Sequence, residues 1–239
     1  MAIYTRTLSK IDIDFRKLRR INEDMVTNAY LYQYRDMIIK RYWALTEYSI
    51  CEQVFDVLCK IDSDNFIRLY ELFTIISDEE YEQIYKLYLS GKRYFTKDGY
   101  TAKYYEGCSL NPILESSNYL IDNIERIREL VNTFSNAHIM MQDTGFKNVI
   151  IQEKNIVIID PDYYRISNAK ISKIREHNYK EILILIRTIF EYYSNNRSNV
   201  DRYFDKLQEC DSKDALDEIE KSLKRVRKPI DIIKWSLLL

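Results

Sequence analysis

The chain has 239 residues, of which 46% are hydrophobic and 31% are charged, and its formal net charge at pH 7 is −1. This composition is typical of a globular protein with enough apolar material for a core. It excludes a basic field over the whole protein, so we expect no nucleic acid partner. With only four glycines and three prolines, the chain is neither collagen-like nor rich in linkers.

The sequence carries no signature of a zinc site, a disulfide framework or a membrane span. The four cysteines form no C-x-x-C pair, and the two histidines are far apart along the chain. The first residues contain no apolar segment of a secretory signal, and no apolar run approaches ~18 residues. We therefore expect no membrane span and a cytoplasmic location.

The first part of the chain is predicted to be rich in strands. Apolar residues at positions 50, 54, 57, 58 and 61 have helical spacing, which predicts a helix over 46–61 with Thr46 as its N-cap. A second helix is predicted over 78–89. Patterns of alternation and turn residues predict strands at 15–21, 28–34, 37–42, 66–73 and 100–105, with tight turns at 35–36 and 98–99.

The second part is predicted to be mostly helical, with one small hairpin. Two short apolar strands, 149–151 and 156–159, flank a turn at 152–155. Amphipathic or strongly apolar patterns predict helices at 118–134, 178–193, 200–210 and 213–226. The predicted class is therefore α+β in two lobes, a small strand-rich N-lobe over 1–106 and a mostly helical C-lobe over 107–239.

The stretch 141–162, MQDTGFKNVIIQEKNIVIIDPD, contains the residues that point to chemistry. Asn148 opens the first strand of the hairpin and Asp160 ends the second, which predicts two hard oxygen ligands at one end. There they can hold Mg²⁺ against phosphates. Asp143, in the loop before the hairpin, can orient or deprotonate a hydroxyl. Taken alone, Asp143 is also a common turn residue.

The same stretch resembles the catalytic loop and metal-binding hairpin of the protein-kinase-like superfamily. The family pattern is H-R-D-x-x-x-x-N, followed by a hairpin that ends in D-F-G. Asp143 and Asn148 match its D and N, and Asp160 falls at the Asp of D-F-G. The resemblance covers nearly the whole chain and implies a compact, divergent kinase-like protein of bacterial or viral type that binds ATP and Mg²⁺. In it Asp162 is either a second metal ligand or a turn residue.

The resemblance also implies roles for residues in the N-lobe. Lys40, at the end of MIIK, matches the Lys of V-A-I-K and would contact the α- and β-phosphates. Glu52, in the helix that follows, is either the ion-pair partner of Lys40 or a solvated helix residue. The sequence KYYEG resembles the last N-lobe strand and the hinge, where the backbone of Tyr104, Tyr105 and Glu106 would contact adenine.

Several positions depart from the family pattern. No glycine lies between Phe15 and Tyr42, so the Gly-rich loop is missing, and Met141-Gln142 replaces the His-Arg of the catalytic loop. Asp160-Pro-Asp162 replaces D-F-G and more closely resembles small-molecule kinases. Only 79 residues follow Asp160, so the activation segment and the peptide-docking helices must be short.

Three functions are compatible with these patterns. The first is an ATP- and Mg²⁺-dependent phosphotransferase that resembles a Ser/Thr protein kinase and transfers the γ-phosphate to a protein hydroxyl. The second is a small-molecule kinase of the aminoglycoside or choline type, favoured by Asp160-Pro-Asp162 and the missing Gly-rich loop. The third is a pseudokinase that serves as a binding scaffold, favoured by the missing glycines and opposed by the retention of Asp143, Asn148 and Asp160.

Overall fold

The computed structural model forms two compact units. The first unit comprises Met1–Ser49, Leu58–Lys60 and Arg68–Tyr105, and the second comprises Ile50–Val57, Ile61–Ile67 and Glu106–Leu239. The sequence analysis assigned residues 50–57 and 61–67 to the first lobe. The structure describes residues 2–5, 10–21, 29–43, 49–76, 86, 90, 98–106, 117–145, 148–152, 155–193, 197–207 and 211–224.

An antiparallel sheet of seven strands forms the first unit. The strand order is β2-β1-β6-β7-β5-β4-β3, and one helix, α1 (Glu52–Leu58), follows β5 and precedes β6 in the chain. The strands are β1 (Ala2–Thr5), β2 (Lys10–Asp12), β3 (Arg19–Arg20), β4 (Ala29–Tyr34), β5 (Met37–Tyr42), β6 (Leu69–Ile76) and β7 (Gly99–Lys103).

The hairpin of β4 and β5 confirms the predicted strands at 28–34 and 37–42. Tyr34 pairs with Met37, which leaves the two residues Arg35 and Asp36 as the turn. Arg35 has a φ of 56°, as the two-residue turns that match the strand twist require. Ile39, which is fully buried, packs with Ile13 and Phe73 at the core of this sheet.

Two strand predictions in this unit are confirmed only in part, since β3 occupies two residues of 15–21 and β6 begins within 66–73. Residues 15–21 were expected to form a strand, but Phe15–Lys17 form a 3₁₀ turn because the Asp14 side chain accepts a hydrogen bond from the Arg16 N–H. The strand expected at 66–73 begins only at Leu69 and runs to Ile76. The structure also contains β1 and β2, which were not predicted.

The tight turn predicted at 98–99 is also wrong. Asp98 already bonds to the strands beside it, since its N–H donates to Phe73 O and its carbonyl accepts from Tyr42 N. Gly99 is the first residue of β7. A Cβ there would lie 1.9 Å from Lys40 O, so the glycine permits the close approach of β5 and β7. Thr46 and most of the helix predicted at 78–89 lie outside the described residues.

The second unit is mostly helical, as predicted. Helices predicted at 118–134, 200–210 and 213–226 are present within a few residues, whereas the helix predicted at 178–193 begins seven residues earlier. The described elements are α2 (Ser117–Asn136), α3 (Ile171–Tyr193), α4 (Arg197–Leu207) and α5 (Ser212–Lys224), with the strands β8 (Ile139–Met140), β9 (Val149–Gln152), β10 (Asn155–Ile158) and β11 (Arg165–Ile166).

Aromatic packing and ion pairs hold this unit together. Phe66 forms a parallel bridge with Ile158 instead of belonging to β6. Its ring packs edge-to-face on Phe134 of α2 at 5.0 Å and stacks beside Tyr164 at 6.2 Å. Arg128 of α2 forms salt bridges with Asp217 and Glu220 of α5. Among the described residues, no helix is both long enough and apolar enough to cross a membrane.

Candidate active site

The hairpin of β9 and β10 brings Asn148 and Asp160 to the same end, as the sequence predicted. Val149 pairs with Ile158, and the Ile159 N–H donates to Asn148 O at 2.8 Å. Asn148 is therefore opposite Ile159, and Asp160 is the next residue. Because both side chains carry hard oxygens, this end of the hairpin has the donor chemistry that Mg²⁺ prefers.

Asn148 also ties this end of the hairpin to Asp143. Its Nδ2 donates to the backbone carbonyl of Asp143 at 2.6 Å, and its own N–H donates to Gly145 O at 2.9 Å. Asn148 is only 7% exposed. Since its Nδ2 is directed at Asp143, Oδ1 is the atom that this amide can present to a cation. Asn148 thus bonds to the backbone of both Asp143 and Gly145.

Both acidic residues of the site have left-handed backbones. Asp143 has a φ of 56° and Asp160 a φ of 61°. Such values are uncommon outside glycine and cost free energy that the surrounding structure must offset. Strained residues of this kind concentrate at functional sites, so the two φ values mark this loop and hairpin independently of the sequence pattern.

Helix α3 anchors the loop before Asp143. Asn178 is fully buried, and its Oδ1 accepts a hydrogen bond from Met141 N at 2.8 Å. Its Nδ2 donates to Ile139 O and to Ser135 Oγ, at 2.9 and 3.1 Å. His177 Nε2 lies 2.8 Å from Met141 O. These contacts fix both backbone polar groups of Met141.

One turn further along α3, a second contact holds the residue after Asp143. Thr144 Oγ1 lies 2.8 Å from the carbonyl oxygen of Glu181 and 3.1 Å from its Oε2. Asn178, His177, Thr144 and Glu181 were not predicted from the sequence as site residues. The helix was predicted to start at Asn178, and a polar residue at the edge of an apolar run is typical of a helix end.

Asp162 and Tyr164 lie in the short segment after Asp160. Asp162 is 9% exposed and belongs to a turn in which Tyr164 N donates to Pro161 O at 3.0 Å. Tyr164 is buried between Phe66 and Phe134. Burial raises the pKa of its phenol well above the ordinary value, and the negative charges of Glu181, Asp160 and Asp143 raise it further.

Three of the predicted nucleotide residues belong to the first unit. Lys40 of β5 is 6% exposed, and its Nζ lies 5.7 Å from the centre of the Tyr100 ring. The Tyr104 N–H donates to Asp36 O at 2.8 Å, so the role predicted for Tyr104 would depend on its carbonyl. Tyr105 is buried, and its hydroxyl lies 3.4 Å from Arg68 N.

The remaining predicted residues belong to the second unit. Glu52 is half-buried in the first turn of α1, and Glu106 is exposed. Within this unit the structure brings together Asp143, Asn148 and Asp160. Across the described ranges, no group of three or more His, Cys, Asp or Glu side chains is arranged to hold a metal ion. A magnesium site here would instead combine one amide with carboxylates, a donor set that fits this hard cation.

Comparison with models of known protein families finds no match to this chain, and comparison with curated proteins finds none either.

Proposed function

We propose that this protein is a phosphotransferase that moves the γ-phosphate of Mg²⁺-ATP to a hydroxyl acceptor. The observation that carries the proposal is the 2.6 Å hydrogen bond from Asn148 Nδ2 to Asp143 O, at the hairpin end that bears Asp160. This bond ties the backbone of Asp143, whose carboxylate is suited to an acceptor hydroxyl, to the hairpin end that carries two oxygen ligands suited to Mg²⁺.

Each side chain has a distinct role in the proposed transfer. Asp143 accepts the proton of the acceptor hydroxyl, whose oxygen attacks the γ-phosphorus while the bond to the β–γ bridging oxygen breaks and ADP leaves. Asn148 Oδ1 and the Asp160 carboxylate would hold Mg²⁺, which would supply positive charge against the phosphates. Catalysis then consists mainly of positioning and electrostatic stabilisation.

The order of the elements supports the proposal at the level of the fold. Lys40 lies on β5, α1 with Glu52 follows β5 in the chain, and β6 and β7 come next. This is the order that the resemblance to the protein-kinase-like superfamily implies. A fold-level analogy of this kind supports the proposed reaction more weakly than the site does.

One observation favours a small-molecule acceptor as the second candidate. Only residues 163–170 separate Asp162 from α3. Their path is fixed, because β11 pairs with β8 and the Ser167 N–H donates to His138 O at 2.9 Å. So short a segment leaves little chain on which a peptide acceptor could dock, whereas a small alcohol needs none of it.

The binding of Mg²⁺-ATP tests the metal site. In a thermal shift assay, Mg²⁺-ATP is expected to raise the melting temperature of the wild type, because a ligand that binds only the folded state stabilises it. Asp160→Asn should lose most of this rise. Asp122→Asn, at an exposed acid of α2, is the matched control and should keep it. An equal rise in wild type and Asp160→Asn would remove Asp160 from the metal site.

The acceptor is tested with ATP labelled on the γ-phosphate. The protein is incubated alone, with generic protein acceptors and with a panel of small alcohols. Label in protein would support a protein acceptor, and label in an alcohol would support the second candidate. If the folded protein binds Mg²⁺-ATP but transfers no phosphate to any acceptor, the phosphotransferase proposal is rejected and the scaffold function takes its place.

A further inference from the structure

The first unit contains a cavity of about 420 Å³ that has no part in the proposed transfer. It is lined by Ile13, Asp14, Phe15, Arg16 and Arg41. The volume lies within the range of about 300–1,000 Å³ that small-molecule sites occupy. All five residues come from two short stretches of the chain, the segment around the 3₁₀ turn and the strand β5.

The apolar side of the cavity rests on the core of the sheet. Ile13 is 4% exposed and belongs to the same buried cluster as Ile39 and Phe73. Phe15 packs edge-on against Tyr32 of β4, with ring centres 5.1 Å apart. Because these contacts fix both side chains, the cavity presents a preformed apolar and aromatic wall to a ligand.

The three charged residues that line the cavity, Asp14, Arg16 and Arg41, together carry one net positive charge. Arg16 Nε donates to Asp14 Oδ1 at 2.9 Å, and this bond holds the pKa of the Asp14 carboxyl below its ordinary value. Asp14 and Arg16 therefore neutralise each other. The Arg41 guanidinium lies 5.2 Å from the centre of the Phe15 ring, and no carboxylate in the described part of the chain lies within 4 Å of it.

The geometry points to a binding site for a small organic anion with a flat apolar body, such as an aromatic carboxylate, in this cavity. The ring would lie against Ile13 and Phe15, and the carboxylate would accept a charge-assisted pair of hydrogen bonds from Arg41. Side chains alternate along β5, so Ile39 and Arg41 face one side of the sheet and Lys40 faces the other. The site is therefore separate from the face on which Lys40 would contact phosphates.

Titration calorimetry with naphthoate tests the site on the full chain, with the neutral naphthalenemethanol as a ligand of similar shape. Naphthoate is expected to bind saturably at one site. The alcohol should bind about ten- to a hundredfold more weakly, because it lacks the charge-assisted hydrogen bonds, whose free energy corresponds to that ratio of affinities. This comparison needs no variant.

Two variants then locate the binding. Arg41→Gln should lower the affinity for naphthoate about ten- to a hundredfold. The matched control is Arg202→Gln, at an exposed arginine of α4, and it should leave affinity unchanged. Circular dichroism confirms that each variant is folded. Non-saturable binding, equal affinity for acid and alcohol, or undiminished binding by folded Arg41→Gln would each overturn the proposal, whatever the outcome of the phosphotransfer assays.

Discussion

Asn65 Nδ2 donates a hydrogen bond of 2.7 Å to Asn123 Oδ1, and both residues are buried. The same Asn65 nitrogen donates to Ile156 O, and the Ile156 N–H donates back to Asn123 Oδ1, each at 2.8 Å. The Ile158 N–H bonds to Asn65 O at 3.0 Å. Two buried amides thus tie β10, the strand that leads to Asp160, to α2 and to residues 61–67.

Replacing Asn123 should therefore destabilise the second unit. Asn123→Leu keeps the size of the side chain but removes the acceptor of the Ile156 N–H and one acceptor of Asn65. A buried group without a partner costs about 1–3 kcal/mol, so we expect a loss of roughly 2–4 kcal/mol in the free energy of unfolding. Urea denaturation measures it. Asn132→Leu, at an exposed asparagine of the same helix, should stay within about 0.5 kcal/mol of wild type. Equal midpoints for the two variants would contradict this view of the network.

Alanine substitution is expected to affect stability differently at Gly99 and Gly145, the two glycines that the structure describes. Gly99→Ala would place a Cβ 1.9 Å from Lys40 O and 2.7 Å from Phe73 Cζ, so β5 and β7 must separate. We expect a loss of about 1–3 kcal/mol in stability. At Gly145 an added Cβ meets nothing within 4 Å, so Gly145→Ala should be close to neutral. Thermal melts of both variants check the pair, and a neutral Gly99→Ala would show that the strands can move apart freely.

Tyr164→Phe should preserve or raise stability. The Tyr164 hydroxyl is buried, and no residue in the described part of the chain forms a hydrogen bond with it, so its removal is expected to stabilise the fold by about 1 kcal/mol. The measurement is the urea midpoint at pH 8. A clear loss of stability in Tyr164→Phe would mean that the hydroxyl has a partner, such as a buried water.

The same variant makes a prediction about alkaline pH. The folded protein raises the pKa of Tyr164, chiefly through burial, while an unfolded tyrosine titrates near about 10. Above pH ~10 the unfolded chain loses this proton and the folded chain keeps it, so stability from this residue is present below that pH and is lost as pH rises. At pH ~11 the loss is about 1.4 kcal/mol, and Tyr164→Phe should abolish it. Tyr163→Phe is the control and should lose as much stability at pH ~11 as the wild type does.

Asp143→Asn should separate transfer from binding. The link from Asn148 reaches the backbone carbonyl of Asp143, so the substitution leaves it intact, and asparagine tolerates the left-handed φ at this position. We expect transfer to the best acceptor to fall about 10²- to 10⁴-fold, while the melting shift with Mg²⁺-ATP stays near wild type. Asp122→Asn again provides the control. A variant with full transfer would exclude Asp143 from the chemistry.

The elements that could be predicted are those with long or strongly marked patterns. Helix α2 carries apolar residues along most of its length, and the hairpins of β4–β5 and β9–β10 each pair two apolar strands that are close together in the chain. The pair of β8 and β11 escaped prediction because two-residue strands have no periodicity to detect. Asp143, Asn148 and Asp160 could be selected because their spacing is local. Their roles stay predictions.

The hydrogen bonds that hold the site in position could not be predicted from local spacing. Asn178 contacts Met141, 37 residues earlier, and Asn65 contacts Asn123, 58 residues later. Such partners depend on the tertiary fold. A polar residue in an apolar helix indicates either an end or a buried hydrogen bond, and only the structure distinguishes the two.

Phe66 has a consequence for how the protein is synthesised. Its ring belongs to the second unit and is buried against Phe134 and Tyr164, yet it is translated before β6 and β7 of the first unit. The nascent chain must carry this ring until α2 and the segment after Asp160 have emerged. During that interval the exposed apolar surface is open to association with other chains, so slow elongation between residues 67 and 164 would favour aggregation over folding.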